Sequence, residues 1–208
     1  MPRTRSRPKT EEKFQNAVLQ LVADEGCGAL GINAVAQLAG ADKVLIYRYF
    51  GDFNGLLARV AESRPWLPTE IEVVNALPAG ASAAERVLRE IEATILHHVR
   101  ADPGTHQLVR WRRANICPIC HRFSEEWRAL WKALPSLLTK GLDHAQRQLW
   151  AQACALLSLV IEAELCNEPV DRPCLTQIAA GLEGLMIEPQ GGIPDPYKDD
   201  DHLPTNLL

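Results

Sequence analysis

Residues 32–50 read INAVAQLAGADKVLIYRYF, and this stretch decides the fold. Its first half puts Val35, Ala36 and Leu38 on the inward side of a short helix, about Ile32 to Ala39. Gly40 breaks that helix, and Asp42 is suited to cap a second one running from about Lys43 to Tyr49. Two short helices joined through Ala39-Gly40-Ala41 fit a helix-turn-helix, in which glycine permits the tight turn. A plain helical hairpin has the same spacing. In a helix-turn-helix the second helix enters a DNA major groove and presents its first residues to base edges. Here that helix carries Lys43, Tyr47, Arg48 and Tyr49, which are donors and aromatics fit for phosphates and grooves.

Upstream, Phe14, Ala17, Val18, Leu21 and Val22 recur at three- and four-residue spacing. They predict an amphipathic helix that Thr10 caps and that ends near Gly26. Downstream, a helix over about Phe53 to Ser63 buries Leu56, Leu57 and Val60. Pro65, Pro68 and the Pro78-Ala-Gly80 break then interrupt the pattern. Ser82-Ala-Ala-Glu85 has the form of a capping box, followed by Val87, Leu88, Ile91, Ile95, Leu96 and Val99 on one face down to about Arg100. Asp102-Pro103 opens a helix to about Asn115. Another covers about Ile119 to Leu134 and resumes past Pro135 to Lys140. Asp143 caps a long, widely apolar helix to about Leu165, and Asp171 to Met186 is the last. No alternating strand pattern or internal repeat is present. The reading is all-α, about nine helices.

The 208 residues hold 22 Lys+Arg against 26 Asp+Glu, a net charge of −4, with 47% apolar and 23% charged residues. Those proportions belong to a globular chain and exclude a disordered or collagen-like one. The longest apolar run, Ala153 to Ile161, is broken by Ser158 and falls short of the roughly 20 residues a membrane span needs. No export signal is evident, so the expectation is a cytoplasmic protein with six reduced cysteines and no membrane partner. Charge is uneven: residues 1–60 carry eight Lys/Arg against six Asp/Glu, and the remainder 14 against 20. Arg3, Arg5, Arg7 and Lys9 precede every acidic residue. Such a basic arm is either a local polyanion contact or a solubilising terminus.

The run Ile32 to Phe50, followed by Leu56 and Leu57, resembles the signature of TetR-type transcriptional regulators, over about 50 residues from Glu11 to Val60. Its Ala-Gly-x-x-x-x-x-Ile-Tyr-x-Tyr-Phe core, Ala39 to Phe50, carries the resemblance. This implies a bacterial, dimeric DNA-binding protein with three parts. A helix-turn-helix DNA-binding domain would span residues 1–63, a larger helical ligand-binding and dimerisation domain 64–187, and a disordered tail 188–208. Carried over by position, Lys43, Leu45, Tyr47, Arg48 and Tyr49 fall on the recognition helix, with Tyr47 and Tyr49 at phosphate positions. Asn33 and Gln37 lie on the helix crossing the backbone, and Phe50 fills the core beneath. Three positions depart from the pattern. Gly31 stands where a capping Thr is usual, Leu45 replaces a small polar residue, and Phe53 stands near where a phosphate-binding Lys is typical.

One recognition helix reads only a few base pairs, so a double-stranded DNA operator calls for two on a two-fold axis. The helices Asp143 to Leu165 and Asp171 to Met186, with small residues such as Ala151, Ala155, Ala180 and Gly184, either pair as a homodimer interface or form core within one chain. Between Ala83 and Leu142, His97, Arg110, Trp111, Phe123, Trp127 and Trp131 are candidates to line a cavity for an apolar or aromatic effector. Ordinary core packing is the competing account of each tryptophan.

Cys117-Pro-Ile-Cys120-His121 is the unusual constellation. A helix starting at Pro118 would put both thiols at its positive end, which lowers thiol pKa. As a redox pair it lacks a preceding strand, and as a zinc site it lacks an evident second ligand pair. Structural thiols, a redox or electrophile switch, and a metal site stay open, with no metal and no cofactor expected. Cys27, Cys154, Cys166 and Cys174 read as small core residues. No catalytic triad, phosphate loop or paired-carboxylate site stands out, so no enzymatic activity is expected. The reading is a ligand-responsive repressor. The alternatives are a thiol-based redox or metal-responsive protein, or a helical dimer that has lost DNA binding.

Overall fold

The computed structural model describes residues 7–79, 83–114 and 116–168. Arg3, Arg5, Ser82, the expected helix end at Asn115, the helix Asp171 to Met186 with Cys174, and the tail lie outside them. Among the described residues there are nine α-helices, one 3-10 turn and no strand, so the chain is all-α.

The first helix, α1, spans Arg7–Glu25, and Phe14, Ala17, Val18, Leu21 and Val22 face the core at the predicted spacing. Thr10 does not cap it. The helix already runs from Arg7, since a proline such as Pro8 is tolerated in a first turn and Arg7 pairs with Glu11 one turn on (2.6 Å). Thr10 is buried instead. Thus Arg7 and Lys9 of the basic arm are helical. A 3-10 turn, Cys27–Ala29, leads into α2, Ile32–Ala39, and α3, Val44–Phe50. Leu38, read as inward, is exposed, whereas Val35, Ala36 and Ala39 are buried. The helix α4, Phe53–Ala61, is capped by the Asp52 carboxylate, which accepts from the Gly55 N–H at 2.6 Å.

A short helix, α5 at Glu70–Asn75, was not foreseen. Thr69 and Glu72 cap each other reciprocally there, between prolines that read as a plain break. The helix α6, Ala84–Ala101, buries all six expected apolar residues. Its N-cap is Ala83, which has no side chain to cap with. In α7, Pro103–Trp111, Asp102 accepts from the Gly104 N–H at 2.9 Å, and the helix stops before Asn115. The helix α8, Pro118–Leu138, runs through Pro135 without a break. The proline removes one backbone donor, but Leu134, Pro135 and Leu138 are buried there, which offsets the loss. The last described helix, α9, is His144–Leu165, with a capping box between Asp143 and Gln146. By length and composition α9 could cross a membrane. It packs as a core helix, with Trp150, Cys154, Leu157 and Ile161 buried.

One hydrophobic core runs from α1 to α9 across residue 63. α1 lies on α7, and α4 lies on α8, so the helix-turn-helix of α2 and α3 is carried on the larger helical part by its two flanking helices.

Candidate nucleic-acid interface

The geometry of α2 and α3 follows from two positions. Gly40 adopts the left-handed conformation (φ 60, ψ 38), where L side chains are strained. Its N–H and that of Ala41 return to the Gln37 and Ala36 carbonyls at 3.1 Å, closing α2 and turning the chain. Ile46 is fully buried, worth roughly 1.5–3 kcal/mol, and anchors α3 by a single side chain. The rest of the helix phase is then fixed: Lys43, Val44, Tyr47 and Arg48 point to solvent. Leu45, Tyr49 and Phe50 are half-buried beside them.

Asp42 does cap locally, accepting the Val44 N–H at 2.9 Å, although the helix begins one residue later than expected. Lys43 Nζ donates to Asn33 Oδ1 at 3.1 Å, joining the start of α2 to the start of α3. Gln37 is exposed one turn along α2 from Asn33. Arg7 stacks over the Tyr49 ring at 5.2 Å, bringing a cation of the basic arm onto α3. Phe50 meets Phe14 edge-on at 6.3 Å and props α3 on α1. All seven expected DNA-facing residues therefore fall on α2, α3 and their junction, with Leu45 and Tyr49 the least exposed. Val44 was missed. It is 61% exposed at the first turn of α3, and the phase set by Ile46 was the signal for it.

The effector candidates do not converge as a group. Phe123, Trp127 and Trp131 form a ladder along α8 with centroids 6.0 Å apart, all buried. Arg112 stacks on Trp127 and pairs with the buried Glu162, which also pairs with Arg113 at 2.7 Å. Trp131 lines an open groove of about 600 Å³, shared with Lys132, Pro135, Thr139, His144 and Arg147 of α8, α9 and their link. His97 and Arg110 are exposed on α6 and α7. Trp111 lies against the 3-10 turn, near enough that a Cβ on Gly28 would be 2.8 Å from its ring.

At the start of α8, Cys117 takes the N-cap position and its sulfur is 3.4 Å from that of Cys120. Cys27 joins them from the 3-10 turn. Hydrogen bonds from Cys120 and Cys27, with backbone N–H groups at the open end of α8, hold the Cys117 thiol well below its ordinary value despite burial. Donating to Cys117 pushes Cys120 up. Cys27 is pushed up by the same donation and by burial. Cys154 is pushed up to about 12 by burial alone.

No family model matches the sequence, and no curated protein is similar to it. Among solved structures, that of HlyIIR, a hemolysin II transcriptional regulator, has a TM-score of 0.54 at 15% identity, covering 86% of this chain and 99% of that one. A HlyIIR variant carrying a linker with two thrombin sites gives 0.52 at 13%, covering 88% and 100%. A TetR-like transcriptional regulator from a Rhodococcus species stands at 0.49 and 16%, covering 84% and 92%. At such identities the likeness is one of fold alone, and it is the all-helical fold of HlyIIR.

Proposed function

We propose that this chain is a DNA-binding transcriptional regulator, a cytoplasmic, non-enzymatic repressor that binds a pseudo-palindromic operator as a homodimer and responds to a small molecule. The observation that carries the reading is the outward face of α3. Lys43, Val44, Tyr47 and Arg48 project from a helix held by Ile46 and aimed by the Gly40 turn. Lysine, arginine and tyrosine supply donors for phosphates and base edges, and Val44 supplies an apolar contact of the kind thymine methyls accept. The HlyIIR likeness supports placing this face on DNA.

Dimerisation is supported by α9, whose Leu149 and Leu159 are exposed and, with half-buried Leu156, recur along one side of the helix. A two-fold axis through that side would present two copies of α3 to successive half-sites. An apolar or aromatic effector finds its support in Trp131 at the groove between α8 and α9. The effector would need to favour the non-binding arrangement by only a few kcal/mol to release DNA.

The test is selection of genomic fragments on the immobilised full chain, followed by gel-shift titration of the recovered site. The expected result is one family of fragments sharing a two-fold site, bound at least tenfold more weakly by Arg48→Ala. Failure to retain any fragment at low salt would remove the reading.

A further inference from the structure

Cys27 and the pair Cys117/Cys120 lie some ninety residues apart in sequence, yet their three sulfurs are all within 4.8 Å of one another. Cys120 is fully buried and Cys27 is 3% exposed, while Cys117 is half-buried and gives access from solvent. Trp111 packs on Gly26 and Gly28, the two neighbours of Cys27, and so fixes the backbone that carries this sulfur. An ion about 2.3 Å from three thiolates holds them about 4 Å apart. Cys117 and Cys120 already lie inside that limit, and Cys27 is a small side-chain adjustment away.

The donor set selects the ion. Three soft sulfurs favour a thiophilic centre. Among the described residues no His, Asp or Glu joins the group, so these residues supply three of the four ligands that a structural zinc site takes. Three thiolates carry three negative charges in a largely buried place. A divalent ion would leave one uncompensated, which burial penalises, whereas a trivalent centre leaves none. A disulfide would use two of the three sulfurs and leave the third without a role.

We propose that Cys27, Cys117 and Cys120 form a three-thiolate site for a trivalent metalloid taken up as arsenous or antimonous acid. The Cys27 and Cys120 S–H groups each give a proton to a leaving hydroxide, Cys117 attacks as the thiolate, and a proton from solvent departs with the third hydroxide as water. Three As–O bonds break, three As–S bonds form and three waters depart, with arsenic remaining at +3 throughout. No oxidant or reductant is needed. Filling the site ties the turn between α1 and α2 to the start of α8. A resulting change in DNA affinity rests on the regulator reading above; the binding itself does not.

The test titrates the fully reduced full chain with arsenite, following the near-ultraviolet sulfur-to-arsenic absorption and the count of reactive thiols. One arsenic per chain and protection of three thiols are expected. Cys27→Ser and Cys117→Ser should each weaken binding at least tenfold, and Cys154→Ser should leave it unchanged. Using Cys117→Ser, the half-buried member, keeps the test open should Cys27→Ser not fold. Unaltered affinity in Cys27→Ser would reduce the site to a dithiol and overturn the proposal. Zinc or cadmium displacing arsenite at equal concentration would overturn the trivalent assignment. A parallel gel shift separates the two readings: arsenite binding by a chain that retains no DNA removes only the regulator reading, and DNA retention without arsenite binding removes only this one.

Discussion

The indole of Trp111 rests on Gly28, where any side chain would drive into the ring: an added Cβ would lie 2.8 Å from the indole's far edge. This contact presses the end of α7 onto the turn between α1 and α2, so the helix-turn-helix is positioned partly by the absence of a methyl group. Gly28→Ala should destabilise the protein by about 1–3 kcal/mol, the ordinary cost of overpacking, read as a lower urea midpoint. Gly31→Ser is the control. Gly31 has extended backbone and open space around its Cβ direction, and Ser suits the N-cap of α2, so the unfolding free energy should move by no more than about 0.5 kcal/mol.

What was legible in the sequence is what is local. The period of Phe14, Ala17, Val18, Leu21 and Val22, and the break at Gly40, are short-range signals that hold in three dimensions. The helix at Glu70–Asn75 was hidden because its Thr69/Glu72 capping box sits between prolines that read as a stop. Leu38 reads as inward because it is apolar, but the buried arc of α2 is the one set by Val35, Ala36 and Ala39, and the helix period leaves position 38 on the solvent side. The meeting of Cys27 with Cys117 and Cys120, and of Trp111 with Gly28, is tertiary and leaves no mark in spacing. So the motif on α3 could be read from the sequence, whereas the thiol site could be found only once α1 was seen packed on α7.

Charge and shape on α3 should separate experimentally. Arg48→Ala removes an exposed cation, and should weaken operator binding and flatten the slope of log affinity against log salt by about one. Val44→Ala removes only an apolar contact. It should leave that slope alone and relax preference at one base pair by about 1 kcal/mol, measured by titrating operator variants at two salt concentrations.

Gly31 caps α2 without a side chain. Gly31→Thr supplies an oxygen for the free N–H groups of the first turn and a hydroxyl for a phosphate. Stability should rise by a few tenths of a kcal/mol. Operator affinity should rise with no change in salt slope, because the added group is uncharged. A gel-shift series showing weaker binding would take the start of α2 away from the DNA backbone.

Asp102 closes the junction of α6 and α7, where it pairs with Arg64 and accepts from Thr105 and the Gly104 N–H. Burial pulls its carboxyl upward. The Arg64 hydrogen bond and charge, with the Thr105 and Gly104 bonds, outweigh that and leave it below the ordinary carboxylate value. A carboxyl lowered on folding contributes stability that is present at neutral pH and lost as pH falls below its unfolded value toward its folded one. Asp102→Asn keeps a good cap but removes the charge. The variant should have a lower urea midpoint at pH 7, and the gap should narrow by pH 3. A gap that stays constant with pH would assign the effect to the lost geometry rather than to the ion pair.

In the dimer proposed above, the outward side of α9 sets how two recognition helices are spaced. Leu159 is 51% exposed and Leu149 41%, on a helix whose other side is fully packed by Trp150, Cys154, Leu157 and Ile161. Burying what is exposed of these two leucines against a second copy would contribute roughly 1.5–3 kcal/mol per protomer, and a glutamate at Leu159 would bring two like charges together across a two-fold axis. Leu159→Glu should therefore convert a dimer to a monomer in sedimentation while keeping the helical content. The same variant should lose operator affinity by far more than the single-site Arg48→Ala change, because half-site binding forfeits one whole recognition helix. A dimer that persists in Leu159→Glu would move the symmetry axis away from this side of α9 and with it the predicted spacing of the two α3 helices.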